Sequence, residues 1–120
     1  MNNKITIYHN PRCSKSRKAL EILKSKNIEP KIILYLENKL SKMEVKDLLL
    51  KLRLSIRDIL RSEEDEYKKN NLKNKNLSDN ELIGFLIKFP KLLQRPIVVK
   101  NSKAVVGRPP ENILNLLRNI

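Results

Sequence analysis

Residues 4–36 read KITIYHNPRCSKSRKALEILKSKNIEPKIILYL and contain three successive patterns of secondary structure. Residues 4–8 alternate between polar and apolar side chains, as in a half-buried strand. Residues 14–26 carry apolar side chains at helical spacing, and residues 31–36 form a β-branched run typical of a second strand. A strand, a helix and a strand in this order predict a βαβ unit, in which a right-handed crossover joins two parallel strands.

Cys13, the one cysteine of the chain, lies at the junction between the first strand and the first helix. A helix N-terminus has unpaired N–H groups and a partial positive charge, and both stabilise a thiolate. Arg12, Lys15 and Arg17 add positive charge within a few residues. We therefore expect a lowered cysteine pKa and a reactive nucleophile. The alternative is a buried structural cysteine, but such a residue more commonly occupies an apolar position inside an element.

The length of 120 residues fits a single domain over residues 1–120. The sequence contains no apolar run of about eighteen residues and no signal-peptide pattern, so we expect no membrane segment. A single cysteine cannot form an internal disulfide, which favours the reducing cytoplasm. The pattern of His and Cys residues does not predict a metal site.

The formal net charge of +13 would suit a polyanionic partner. However, the basic residues are spread along the whole chain and interleaved with Asn and Ile, as in residues 68–76. Compositional drift of a genome would produce the same enrichment. Aromatic side chains that could stack on bases are few. We therefore expect weak non-specific attraction to nucleic acid rather than specific binding.

The middle of the sequence carries helix start and stop signals. Residues 41–44 and 78–81 are capping boxes, each followed by apolar residues at helical spacing. Residues 55–58 open a short helical stretch, and residues 70–76 have the composition of a loop. Pro90 is expected to end the helix that begins near residue 78.

The last part of the chain changes to the period of a strand. Residues 96–100 and 103–106 flank the polar pair Asn101 and Ser102, which predicts a β-hairpin. Two prolines and a glutamate then begin a final helix over about residues 109–117.

The order of these elements predicts an α/β chain with a thioredoxin-like fold. It would comprise a four-stranded mixed sheet with flanking helices and a helical insert at about residues 41–93. A proline before a strand is tolerated only at its first position or on an edge. In thioredoxin folds the proline at this place follows a cis bond and faces the reactive cysteine. We therefore expect a cis bond between Arg95 and Pro96, facing Cys13.

Four segments carry a resemblance that runs the length of the chain. Residues 10–17, 33–37, 95–99 and 107–111 together resemble the glutaredoxin-dependent arsenate reductase family, and residues 12–16 are most similar to its chromosomal branch. Each segment is moderately specific by itself, and their order and spacing make the combination strong.

The resemblance assigns roles to five residues. It implies that Cys13 attacks arsenate, that His9 assists the thiolate, and that Arg61, Arg95 and Arg108 bind the substrate. Arginine suits this task because its planar, permanently charged donors match a tetrahedral oxyanion. For the first of the three arginines, Arg53 and Arg57 are nearby alternatives to Arg61.

The resemblance also implies the reductant. Cys13 would form a thioarsenate adduct, and Ser16 stands where dithiol enzymes of this fold have their second cysteine. An external thiol must therefore complete the reaction. We expect glutathione as co-substrate, glutaredoxin as partner, no bound cofactor and a monomeric protein.

Two other functions remain open. The first is a glutathione-linked thiol reductase of unknown substrate. The second is a regulatory protein that binds RNA polymerase, as do members of the same fold that switch on a Cys-x-x-Cys disulfide. Because Cys13 has no second cysteine near it, that redox switch is not available to this chain.

Overall fold

The computed structural model of the protein describes residues 4–118. The chain divides into two compact units. The first is built from the two ends of the sequence, up to Asn38 and from Arg95 onward. The second comprises Lys39–Gln94 and corresponds closely to the predicted insert.

The first unit contains a four-stranded mixed sheet with the strand order β2-β1-β3-β4. Strand β1 is parallel to β2 and antiparallel to β3, and β3 is antiparallel to β4. This topology confirms the predicted thioredoxin-like fold. The strands are β1 (Ile5–Tyr8), β2 (Lys31–Ile33), β3 (Ile97–Lys100) and β4 (Lys103–Val106).

Two helices of the first unit, α1 (Ser14–Ser25) and α5 (Glu111–Arg118), supply apolar residues that pack with the sheet. Their contributions recur at helical spacing, as the sequence predicts. The hydrophobic effect of this burial is the main stabilising contribution to the unit. The buried cluster consists of Ile5, Ile7, Ala19, Leu23, Val98, Ile113 and Leu116.

The second strand is shorter than predicted. The sequence pattern extends it to residue 36, but β2 ends at Ile33, opposite Tyr8 at the end of β1. The carbonyl oxygen of Leu34 then accepts hydrogen bonds from the N–H groups of Glu37 and Asn38, both at 3.0 Å. A β-branched run favours a strand, but the pairing of β2 with β1 stops where β1 ends, and the strand ends with it.

Two predicted capping boxes begin the longer helices of the second unit. Helix α2 (Lys42–Leu52) follows Ser41, and helix α4 (Asp79–Lys88) follows Ser78. In each box the serine hydroxyl accepts the N–H of the glutamate three residues later, at 3.1 Å. Helix α4 ends two residues before Pro90, as predicted.

Shorter helical segments lie between α2 and α4 and directly after α4. Residues Ile56–Ile59 form one turn of 3₁₀ helix, and Pro90–Leu92 form another. A short helix, α3 (Asp65–Lys69), has no buried residue and was not predicted. No helix among residues 4–118 is long and apolar enough to cross a membrane.

The predicted hairpin of β3 and β4 is present, and its turn places Asn101 in the left-handed region with φ of 56°. Beyond β4, the backbone of Gly107 passes very close to its neighbours. Its N–H donates to the carbonyl oxygen of Pro96 at 2.8 Å. A Cβ at this position would lie 2.9 Å from both Pro96 Cγ and Ile113 Cδ1. The close approach therefore requires a residue without a side chain.

We predict that Gly107→Ala lowers the free energy of unfolding by roughly 1–3 kcal/mol, because the added methyl group overpacks a buried contact. Gly84→Ala is the matched control. Gly84 is exposed in α4, and a Cβ added there would meet nothing within 4 Å beyond its chain neighbours and its own helix backbone. The same substitution there should stabilise the protein by up to about 1 kcal/mol. Urea denaturation of both variants measures the difference, and equal effects would contradict the close approach at Gly107.

Candidate active site

The backbone places Cys13 at the N-terminus of α1. Cys13 is the N-cap residue, with φ of −95° and ψ of 122°. Its N–H donates to the carbonyl oxygen of Asn10 at 3.0 Å, and its own carbonyl oxygen accepts the N–H of Arg17 at 2.9 Å. The residue is only 8% exposed. Cys13 thus occupies the predicted junction between β1 and α1, and the residue is buried there.

Opposing effects act on the pKa of the Cys13 thiol. Burial by itself raises this pKa. The backbone N–H of Ser16, the charge of Arg95 and the backbone N–H of Lys15 lower it and outweigh the burial. The pKa therefore lies below its usual value, which stabilises the thiolate as the sequence predicts.

Arg95 supplies the positive charge that lowers this pKa, although it is far from Cys13 in the sequence. A hydrogen-bonding contribution from the Arg95 side chain lowers the pKa of Cys13 further. In contrast, Arg17, one of the sequence neighbours expected to act on the thiol, donates through Nη1 to the carbonyl oxygen of Pro11 at 2.9 Å.

Arg108 joins Arg95 at the thiol. Its Nε donates to the carbonyl oxygen of Arg95 at 2.7 Å, and its Nη2 lies 3.7 Å from the Sγ of Cys13. The peptide bond from Arg95 to Pro96 is cis, as expected, and so is the bond from Arg108 to Pro109. The structure therefore brings two of the three predicted substrate arginines to the predicted nucleophile.

The guanidinium of Arg95 has unused donors. Its Nε and Nη1 atoms are buried and have no hydrogen-bond partner among the described residues. Buried donors are nearly always paired in native proteins, and a guanidinium binds carboxylates and oxyanions with pairs of parallel N–H bonds. The arrangement therefore suits an anionic ligand beside Cys13.

His9 follows the end of β1 and is 5% exposed. Its Nδ1 lies 2.6 Å from the hydroxyl oxygen of Ser16, which also accepts the N–H of Asn10 at 3.0 Å. Burial lowers the pKa of His9, and the charges of Arg17 and Lys24 lower it further. The imidazole is therefore neutral at pH 7.

The contact between Ser16 and His9 goes beyond the sequence prediction, in which Ser16 only marks the position of the second cysteine of dithiol enzymes. Ser16 follows Cys13 by three residues and therefore lies about one helical turn further on. This spacing is the feature of the sequence that places Ser16 near the site. The fully buried hydroxyl connects the end of β1 to the first turn of α1.

Arg61 lies in the second unit. Its N–H donates to the carbonyl oxygen of Leu92 at 2.7 Å, and its side chain forms ion pairs with Glu63 and Glu64. The alternative Arg57 uses its guanidinium to bind the carbonyl oxygens of Leu72 and Asn74 in the loop at residues 70–76.

No group of three or more His, Cys, Asp or Glu residues within the described range, 4–118, has the arrangement of a metal site. The site consists instead of a thiol, two guanidinium groups and a neutral imidazole. These groups can bind an anion and attack it with sulfur.

Several known proteins are similar to this chain in sequence and in structure. The model of the ArsC family matches residues 8–116. The chain is 42% identical over 114 residues to an arsenate reductase of Haemophilus influenzae, covering 94% of this chain and 98% of that one. It is 47% identical over 118 residues to the uncharacterized protein YfgD of Escherichia coli, covering 98% and 99%. An arsenate reductase structure from Vibrio cholerae matches with a TM-score of 0.93 at 44% identity, covering 96% and 98%.

We predict that Arg95→Gln moves the pH midpoint of Cys13 alkylation to a higher value, because the thiolate loses a positive charge that lowers its pKa. The measurement is the rate of iodoacetamide alkylation against pH. Arg12→Gln is the control, since Arg12 is exposed and directly precedes Cys13 but is not among the groups that lower its pKa. An equal shift in both variants would indicate general basicity rather than the Arg95 contact.

Proposed function

Because this chain belongs to the ArsC family, we propose that it reduces arsenate to arsenite with Cys13 as the nucleophile. The observation that carries the proposal is the pair of buried Arg95 nitrogens, Nε and Nη1, which have no partner among residues 4–118 and belong to the arginine that lowers the pKa of Cys13. The relatives described as arsenate reductases support the choice of oxyanion.

In the first proposed step the Cys13 thiolate attacks arsenic. A sulfur–arsenic bond forms, an arsenic–oxygen bond breaks, and the oxygen takes up protons and leaves as water. The substrate and the nucleophile are both anionic, so their approach is costly without positive charge. Arg95 and Arg108 offset this repulsion and orient the arsenic for attack.

In the second proposed step glutathione supplies the other reducing thiol. A disulfide forms between glutathione and Cys13 as the sulfur–arsenic bond breaks, and that electron pair stays on arsenic. Arsenite leaves, and the two thiols have together provided the two electrons. Glutaredoxin then resolves the mixed disulfide by thiol–disulfide exchange.

His9 and Arg61 complete the proposed set of residues. We infer that His9 assists the site as a neutral imidazole, since its pKa is lowered by burial. The resemblance to arsenate reductases implies that Arg61 also binds the oxyanion. The protein would work as a monomer in the cytoplasm. It would need no bound cofactor, because the reducing equivalents come from soluble thiols.

We predict that turnover requires glutathione and glutaredoxin, because the chain has no second cysteine to release the adduct. NADPH consumption with arsenate, glutathione, glutaredoxin and glutathione reductase measures the rate. Without glutaredoxin, a glutathione adduct that dithiothreitol removes should accumulate on Cys13 in intact-protein mass spectra. Cys13→Ser should abolish both signals. Turnover with thioredoxin and no glutathione would contradict the mechanism, and failure to act on arsenate would favour another thiol substrate or the polymerase-binding role.

We further predict that Arg95→Lys and Arg108→Lys each lower kcat/KM for arsenate by about a hundredfold, because lysine keeps the charge but loses the paired donors. Arg118→Lys is the control, since Arg118 is exposed at the end of α5. It should retain wild-type activity in the same coupled assay. Near-wild-type activity of both site variants would mean that charge alone suffices.

A further inference from the structure

The second unit holds the backbone of Arg61 in place from both sides. The N–H of Arg61 donates to the carbonyl oxygen of Leu92 at 2.7 Å, and the preceding Leu60 forms a β-bridge with Leu93. The N–H of Gln94 donates to the carbonyl oxygen of Ile59 at 2.8 Å. With the backbone fixed in this way, the direction of the guanidinium depends on the partners of the side chain.

The two ion pairs of Arg61 differ in length and in exposure. Glu64 accepts from Nη1 at 2.5 Å, and its side chain is 21% exposed. Glu63 lies 3.3 Å from Nη2, and its side chain is 59% exposed. A short, largely buried ion pair fixes geometry, whereas a long and exposed one contributes little.

The third nitrogen of the guanidinium has no partner. The Nε atom of Arg61 is buried and makes no hydrogen bond with any described residue. Nε and Nη2 form one edge of the planar group, and such an edge binds two oxygens of an oxyanion through parallel N–H bonds. Among the described residues, only the weakly held Glu63 contacts this edge, while Glu64 occupies the opposite nitrogen.

We propose that Glu64 is a positioning residue that holds Arg61 by Nη1 and so presents its Nε and Nη2 edge to the oxyanion, which displaces Glu63. This inference rests on the proposed function, because it takes a tetrahedral oxyanion as the ligand of Arg61. It gives the two adjacent glutamates opposite effects on substrate affinity, although each carries the same charge.

The test compares Glu64→Ala with Glu63→Ala in the full chain. Each variant removes one negative charge, so a long-range field would lower the KM for arsenate in both. The proposal instead expects Glu64→Ala to raise KM between about tenfold and a hundredfold, since a misplaced arginine no longer matches the substrate. Glu63→Ala should lower KM roughly two- to fivefold, because a competing exposed ion pair is lost. In both, kcat should change by less than about threefold.

Three controls separate positioning from structural damage. Glu64 is the N-cap residue of α3, but its side chain makes no capping hydrogen bond, so Glu64→Ala should unfold at a urea midpoint close to wild type. Glu66→Ala removes the same charge from a side chain that makes no ion pair in the described part of the chain, and it should leave KM nearly unchanged. In an Arg61→Ala background, neither Glu63→Ala nor Glu64→Ala should alter KM further.

Calorimetric titration of sodium arsenate into the Cys13→Ser protein provides a readout without turnover. Tighter binding in Glu63→Ala and weaker binding in Glu64→Ala support the proposal. It is overturned if Glu64→Ala leaves binding and KM unchanged or improves them, or if its effect persists without Arg61. In those cases wild-type reduction of arsenate would still stand. A wild-type protein that neither binds nor reduces arsenate contradicts the proposed function itself and removes the ligand on which this inference depends.

Discussion

The pairing of a buried thiolate with a partly buried guanidinium is the constraint on which the candidate site depends. Burial alone would raise the pKa of the Cys13 thiol. The backbone N–H of Ser16 at the helix N-terminus and the charge of Arg95 together stabilise the thiolate. Two Arg95 nitrogens still lack partners among the described residues. An oxyanion bound as proposed would offset the cost of leaving them unpaired, so the same constraint would link stability to substrate binding.

The sheet explains why distant segments meet at this pair. Because β1 and β3 are antiparallel, Tyr8 at the end of β1 pairs with Ile97 at the start of β3. The loop that leads to Cys13 and the residue before β3 therefore lie at one edge of the sheet. Ile97 also pairs with Val106 near the end of β4, which brings Arg108 to the same edge. The pairing of β1 with β3 and of β3 with β4 thus brings three chain segments together at this edge.

The buried hydroxyl of Ser16 gives the site a different internal chemistry from a dithiol enzyme. It accepts the N–H of Asn10 and bonds to Nδ1 of His9, so it connects the strand end to the helix that carries Cys13. With His9 neutral, positive charge reaches the thiolate from arginine rather than from imidazolium. A thiolate stabilised in this way is suited to nucleophilic attack, and in the proposed mechanism an outside thiol returns it to the reduced state.

Much of the fold could be predicted because its signals are local. The capping boxes at Ser41 and Ser78, the hairpin turn at Asn101 and the position of Cys13 at a helix start depend on residues a few positions apart. The family resemblance added the substrate arginines, whose side-chain partners it did not give. The tertiary structure alone decided that Arg95 supplies the charge beside the thiol, that β2 stops after three residues, and that Ser16 bonds to His9. The physical reason is that strand register and the pairing of buried charges depend on which distant segments the folded chain brings together, whereas caps and turns are fixed by hydrogen bonds between near neighbours.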